Sequence, residues 1–184
     1  HAVAPITLIT VAPEAAAGGE DSSIAALVQA GFRVQLGHSG ASYEAAKAAL
    51  DAGATGFTHL YNAMSGLHHR QPGMVGAALA HAGHAEVIPD LLHVHPGAIR
   101  VALRSIAGLY CVTDSTAAAG MPDGEYRLGR QLVTRCMGGV RLADGTLAGS
   151  TLTMDDALCN LINALGLSLA EASLRTSTLA ADYI

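Results

Sequence analysis

The sequence predicts an α/β fold with a parallel sheet, patterned like part of a TIM (β/α)8 barrel. Three observations predict it. Short apolar runs alternate with helical patterns along all 184 residues, as βαβ units do. The runs are rich in β-branched or aromatic residues and read as apolar on both faces, as buried parallel strands do. His38, His59, His93 and Asp114 stand at the C-terminal ends of successive runs, the face on which barrels of this kind build their sites. A doubly wound sheet is the alternative, but the first run is not followed by a Gly-rich phosphate turn.

The first run, "ITLITVAPE", ends near Glu14. The helical "DSSIAALVQAG" follows, with Asp21, Ser22 and Ser23 as cap candidates and Gly31 as the stop. "FRVQLGHS" is the second run and reaches His38. A helix over Ser42 to Gly53 then sets Glu44 and Lys47 at i,i+3 spacing. "TGFTHLYN" carries His59, and a long loop, "NAMSGLHHRQPG", leads into the apolar "MVGAALAHAG". "AEVIPDLLHVH" carries His93, and Pro96 suits the first turn of the next helix. "GLYCVTDS" is the fifth run and ends at Asp114. Turn signals then separate short alternating segments, read as a β-hairpin insertion over 125–148. Two helices close the chain, the first capped by Thr151 or Thr153 with Asp155 and Asp156 in its first turn.

Composition excludes several classes. The chain is 51% hydrophobic and 14% charged, with 21 Gly, no Trp and a net charge of -5. That profile is far from disorder. The absence of a basic run argues against a nucleic-acid partner. No apolar run approaches the ~18 residues of a membrane span, so no membrane partner is expected. The apolar first ten residues lack a basic start and a cleavage pattern, so no signal peptide is read. Cys111, Cys136 and Cys159 are odd in number and widely spaced; a reducing cytoplasm is the simplest setting.

Two histidines and a carboxylate from different strands suit a divalent metal site. Neutral imidazoles bind zinc or iron(II), and an aspartate beside them can act as general base and then acid. His38 and His59 lie 21 residues apart, one βα unit, which suggests equivalent places on neighbouring strands. On spacing alone a metal hydrolase and a scatter of surface and core histidines both stay open.

Five motifs narrow the choice: "GHSGASYEAAKAAL", "THLYNAMSGLHHRQPG", "LLHVHP", "VTDSTAAAG" with "MPDGEYRLG", and "DGTLAGSTLTMDDAL". Together, in this order and spacing, they resemble the N-acetylglucosamine-6-phosphate deacetylases of the amidohydrolase superfamily. The resemblance implies a deformed TIM barrel that removes acetate from N-acetylglucosamine 6-phosphate, giving glucosamine 6-phosphate. It implies His38 and His59 as ligands of a divalent metal, zinc or iron, and Asp114 as the acid/base. Asn62 and the Ala63 backbone would contact the sugar, and His93 its hydroxyls with Asp90 nearby. Leu147, Ala148 and Gly149 would line the sugar pocket. Arg70 would reach the 6-phosphate bound by a neighbouring subunit, which implies a homodimer; a guanidinium fork suits a phosphate.

The chain also departs from that family. The family's glutamate ligand lies in a "LEGP"-type motif, and the sequence has none. Residues 1–184 are expected to be the C-terminal part of the barrel domain, without its first strands and small β-sandwich domain. Leu91 stands where the family has Gly, and is expected to narrow or shift the pocket beside His93. Glu14 is expected to be structural. His68, His81, His84 and His95 are expected at the surface, Met64 and Met154 in packing, and His69 has a minor claim on phosphate. Two other readings stay open: a non-catalytic fragment without the glutamate, and an amidohydrolase acting on another amide.

Overall fold

A computed structural model describes residues 7–16 and 23–184. Five strands, β1 (Leu8–Val11), β2 (Arg33–Leu36), β3 (Gly56–Phe57), β4 (His84–Val87) and β5 (Gly108–Cys111), form one sheet. Every pairing is parallel, and the strands lie in chain order. A doubly wound sheet reverses its order at a switch point; this sheet has no reversal.

The crossovers are helical: α1 (Ser23–Gln29), α2 (Tyr43–Asp51), α3 (Gly73–His81) and α4 (Pro96–Ser105). Ser42 caps α2 by accepting the Ala45 N–H at 3.2 Å. Lys47 pairs with Asp51 at i,i+4, not with Glu44 as the spacing predicted. Pro96 opens α4, and the His95 ring caps it by accepting the Gly97 N–H at 3.1 Å. The expected cap residues Asp21 and Ser22 lie outside the described residues, and Ser23 is already helical.

The two faces of the sheet differ, which corrects the expectation of apolar strands on both sides. Val34, Leu36, Phe57, Ala85, Val87, Leu109 and Cys111 are buried in one core with Ala46, Ala49, Met74, Ala77, Ala78, Ile99 and Ala102 of the helices. Alternation along a strand sends Thr10, Gln35, Glu86 and Tyr110 to the other face, and Thr58 joins them in one hydrogen-bonded row. The alternating polar positions are single residues inside apolar runs.

After β5 comes not one hairpin but a three-stranded antiparallel sheet: β6 (Gly124–Leu128), β7 (Gln131–Cys136) and β8 (Gly139–Arg141). The β7–β8 turn puts Met137 and Gly138 at φ +51° and +75°, the handedness that tight hairpins need. Ala118, Val133 and Val140 give this sheet its own small core. Helix α5 (Met154–Asn163) follows, capped by Thr153 on the Asp156 N–H. Then α6 (Leu169–Ser173), a wide turn over Leu174–Thr178 and α7 (Leu179–Tyr183) run on as one helix. Its Tyr183 closes over β3, where an added Cβ at Gly56 would stand 2.7 Å from the Tyr183 hydroxyl. Among the described residues no helix is long and apolar enough to cross a membrane.

Candidate active site

Because the sheet is parallel, the loops after all its strands leave from one edge. His38 follows β2 by two residues, His59 follows β3 by two, His93 follows β4 by six and Asp114 follows β5 by three. The sequence placed His59 and His93 within longer strands; both lie in turns beyond them. These four side chains line one open hollow of ≈ 760 Å³, together with Asn62, Ala63, Leu147, Ala148 and Gly149.

The turns are strained. His38, His59, Ala63 and Asp114 have φ of +48°, +31°, +49° and +49°. A non-glycine residue in the left-handed region costs about 1–2 kcal/mol, and such costs gather at functional sites. Leu91 has φ +65°, a backbone angle that favours glycine, the residue the family resemblance leads one to expect there. Its side chain packs against the main core and does not line the hollow, so the expected narrowing is not seen.

His38 and His59 meet edge to face, Nε2 to Nε2 at 2.8 Å. His38 is exposed and His59 buried. The His59 Nδ1 is buried with no hydrogen-bond partner. A satisfied core histidine uses both nitrogens; this pair instead aims two imidazole nitrogens at one place. That donor set fits a divalent ion as two of its ligands. Among the described residues no group of three or more His, Cys, Asp or Glu is placed to hold a metal ion.

His93 is held by Asp90, whose carboxylate meets the ring Nδ1 at 2.5 Å and accepts the Leu92 and His93 backbone N–H groups. Burial pushes the Asp90 carboxyl up, but the hydrogen bonds from His93 and Leu92 outweigh it and hold the group below its ordinary value. Asp90 does not line the hollow. Its place is behind His93, on the ring Nδ1. Asn62 donates its amide to the His59 and Leu60 carbonyls. That leaves its side-chain oxygen unused by these bonds.

The segment 147–149 is fixed beside Asp114. The Ser150 N–H donates to the Asp114 carbonyl at 2.8 Å, and the Ser150 hydroxyl to Thr113 O. Gly149 has φ +79°, and a Cβ there would meet Thr116 at 2.7 Å, so no other residue fits that close approach.

Arg70 is apart from this hollow. It lines a second one with His68, Tyr43 and Gln71 near the start of α2. Glu14 accepts the Ser39 hydroxyl, a bond that holds its carboxyl low; it braces the turn next to His38. His68, His81 and His95 are exposed as expected, but His84 is half-buried against the Tyr183 ring at 4.6 Å. His69 stacks on His68. Met64 packs on the core, and Met154 is partly exposed.

Sequence reasoning missed Arg141 of β8, which lines the hollow with Nη1 on Gly145 O at 3.1 Å. It also missed Gln35, Glu86 and Tyr110 beneath the site. The available signal was a polar residue at every second position of otherwise apolar strands.

An α/β scaffold with paired imidazoles at the exit edge of a parallel sheet is the class of protein defined so far. A Vibrio furnissii N-acetylglucosamine-6-phosphate deacetylase is 45% identical over 178 residues, 96% of this chain and 44% of the relative. A shorter Escherichia coli (strain K12) relative, provisionally named an N-acetylgalactosamine-6-phosphate deacetylase, is 47% identical over 116 residues, 62% of this chain and 70% of its own length. The crystal structure of the Pasteurella multocida N-acetylglucosamine-6-phosphate deacetylase superposes with a TM-score of 0.91 at 35% identity, covering 97% of this chain and 47% of that one. No protein-family model matches. The chain belongs to the family of N-acetyl-amino-sugar-6-phosphate deacetylases. It spans about half the length of the full-size relatives it matches.

Proposed function

We propose that the protein carrying these residues hydrolyses the acetamide of N-acetylglucosamine 6-phosphate, releasing acetate and glucosamine 6-phosphate. The observation that carries this is the convergence of His38 Nε2 and His59 Nε2 at 2.8 Å in the hollow that Asp114 shares. The chain is then the C-terminal part of a TIM-barrel domain, with 125–148 as an insertion; five parallel strands in chain order support this. The remaining strands and a third ligand would come from residues outside those described.

His38 and His59 would hold a divalent ion, zinc or iron. Such an ion polarises a carbonyl and acidifies water. Asp114 takes one proton from the attacking water and returns it to the nitrogen as the C–N bond breaks, which leaves Asp114 a carboxylate again; the water's second proton leaves with the carboxylic acid, which passes it to the amine or to solvent and becomes acetate. Asp90 keeps the His93 Nδ1 engaged, so Nε2 faces a sugar hydroxyl. Asn62, the Ala63 backbone, Leu147, Ala148 and Gly149 seat the ring. Arg70, away from this chain's own hollow, is suited to a phosphate bound by a second subunit, in a homodimer. Three free cysteines suit a reducing cytoplasm.

Asp114→Asn tests the reading. Acetate release should fall by about 10²–10⁴-fold with the fold intact; an unchanged rate would overturn the assignment. The galacto epimer is the second reading, favoured by the name of the Escherichia coli relative. Assaying both 6-phosphates separates them.

A further inference from the structure

A carboxylate lies under the histidine pair, on the polar face of the sheet. Glu86 of β4 accepts the His59 backbone N–H on Oε2 at 3.3 Å and the Tyr110 hydroxyl on Oε1 at 3.1 Å. Its own backbone carbonyl accepts the Leu60 N–H at 2.8 Å. Glu86 thus grips the His59 turn from both sides of that residue. Among the described residues no Lys or Arg pairs with it.

The direction of every proton in the row can be worked out. Thr58 donates its one hydroxyl proton to Gln35 Oε1 at 2.8 Å, so Thr10 donates to Thr58 at 2.7 Å. The Gln35 amide nitrogen donates to the Tyr110 hydroxyl at 2.8 Å, so Tyr110 donates onward to Glu86. Gln35 is fully buried, and both ends of its amide are used. The row crosses all five strands and ends on a carboxylate that only accepts. Its last acceptor oxygen holds a residue in the left-handed region, His59 at φ +31°, a conformation that persists only when its surroundings over-determine it.

We infer that Glu86 is a positioning residue for the metal-binding pair: by accepting the His59 N–H it fixes the turn that aims the His59 ring at His38. This rests on the reading of His38 and His59 as metal ligands. A residue that orients a ligand through its backbone differs from one that only glues strands together, because its loss is felt in metal affinity rather than in folding.

The test measures zinc affinity by chelator competition, with thermal melting of the apo forms alongside, on the whole protein that carries these residues, as wild type, Glu86→Gln, Glu86→Asp and Tyr110→Phe. The amide of Glu86→Gln offers one acceptor where two are needed. The side chain of Glu86→Asp is one methylene too short to reach. Both should bind zinc about 10–100-fold more weakly, the usual cost of removing a partner that orients a ligand. Tyr110→Phe leaves the His59 acceptor in place and should keep zinc affinity within about twofold of wild type while lowering the melting temperature. Unchanged affinity in either folded Glu86 variant overturns the inference, as does an equal loss in Tyr110→Phe. Wild type that takes up no zinc overturns the metal reading itself, and this inference with it.

Discussion

The two faces of the parallel sheet carry different kinds of order. The helix side is apolar and tightly packed: Leu36, Phe57, Ala85 and Val87 are essentially inaccessible to solvent. The other side is a row of hydrogen bonds from Thr10 to Glu86. Burial on the first face is non-directional, at about 1.5–3 kcal/mol per large side chain. Hydrogen bonds on the second face each add only about 0.5–1.5 kcal/mol net, but they fix angles. The packed face therefore holds the strands together, and the polar face determines how the turns beyond them are aimed.

The largest expected effect lies on the packed face. Strand β3 is two residues long, and Phe57 is its only large side chain. Phe57→Ala should destabilise the fold by about 3–5 kcal/mol, read by urea unfolding. A loss below 1 kcal/mol would mean that the helix side does not carry the stability. On the polar face, Gln35→Met keeps the volume but strips the Thr58 hydroxyl of its acceptor and the Tyr110 hydroxyl of its donor. It should cost about 1–3 kcal/mol, less than Phe57→Ala. A reversed ranking of these two variants would break the contrast between the faces.

Much of this was legible in the sequence, and the misses are physical. The order of strands and helices, Pro96 in the first turn of α4, the Thr153 cap of α5 and the edge shared by His38, His59, His93 and Asp114 follow from periodicity and cap chemistry. The two-sided apolar reading failed because Gln35 stands between Val34 and Leu36 and Glu86 between Ala85 and Val87, and a run of four residues hides a period of two. Leu91 failed for another reason. Its backbone angle, not its size, is what the position tests, and no composition rule reports φ. Arg141 reached the hollow through a third antiparallel strand that the turn signals alone did not separate from a hairpin.

Neighbouring residues offer the finest comparison, because Tyr110 and Cys111 are adjacent on β5 and face opposite sides. Burial pushes the Cys111 thiol up to about 12 from 9.0, with Arg175 pulling weakly the other way. Burial first, and then the Glu86 charge, push the Tyr110 phenol well above its ordinary 10.0. In both cases the folded state keeps a proton that the unfolded chain releases. The stabilisation is therefore complete below the unfolded values and is lost as pH rises past them. From pH 9.0 towards 12 the Cys111 contribution should fall by about 1.4 kcal/mol per pH unit. Cys111→Val, close in volume and without the thiol, should flatten the decline of urea-unfolding stability from about pH 9 upward by up to that slope. Tyr110→Phe should do so only above about pH 10. If Tyr110→Phe left the decline above about pH 10 unchanged, the phenol would not be held protonated by burial and by the Glu86 carboxylate beside it.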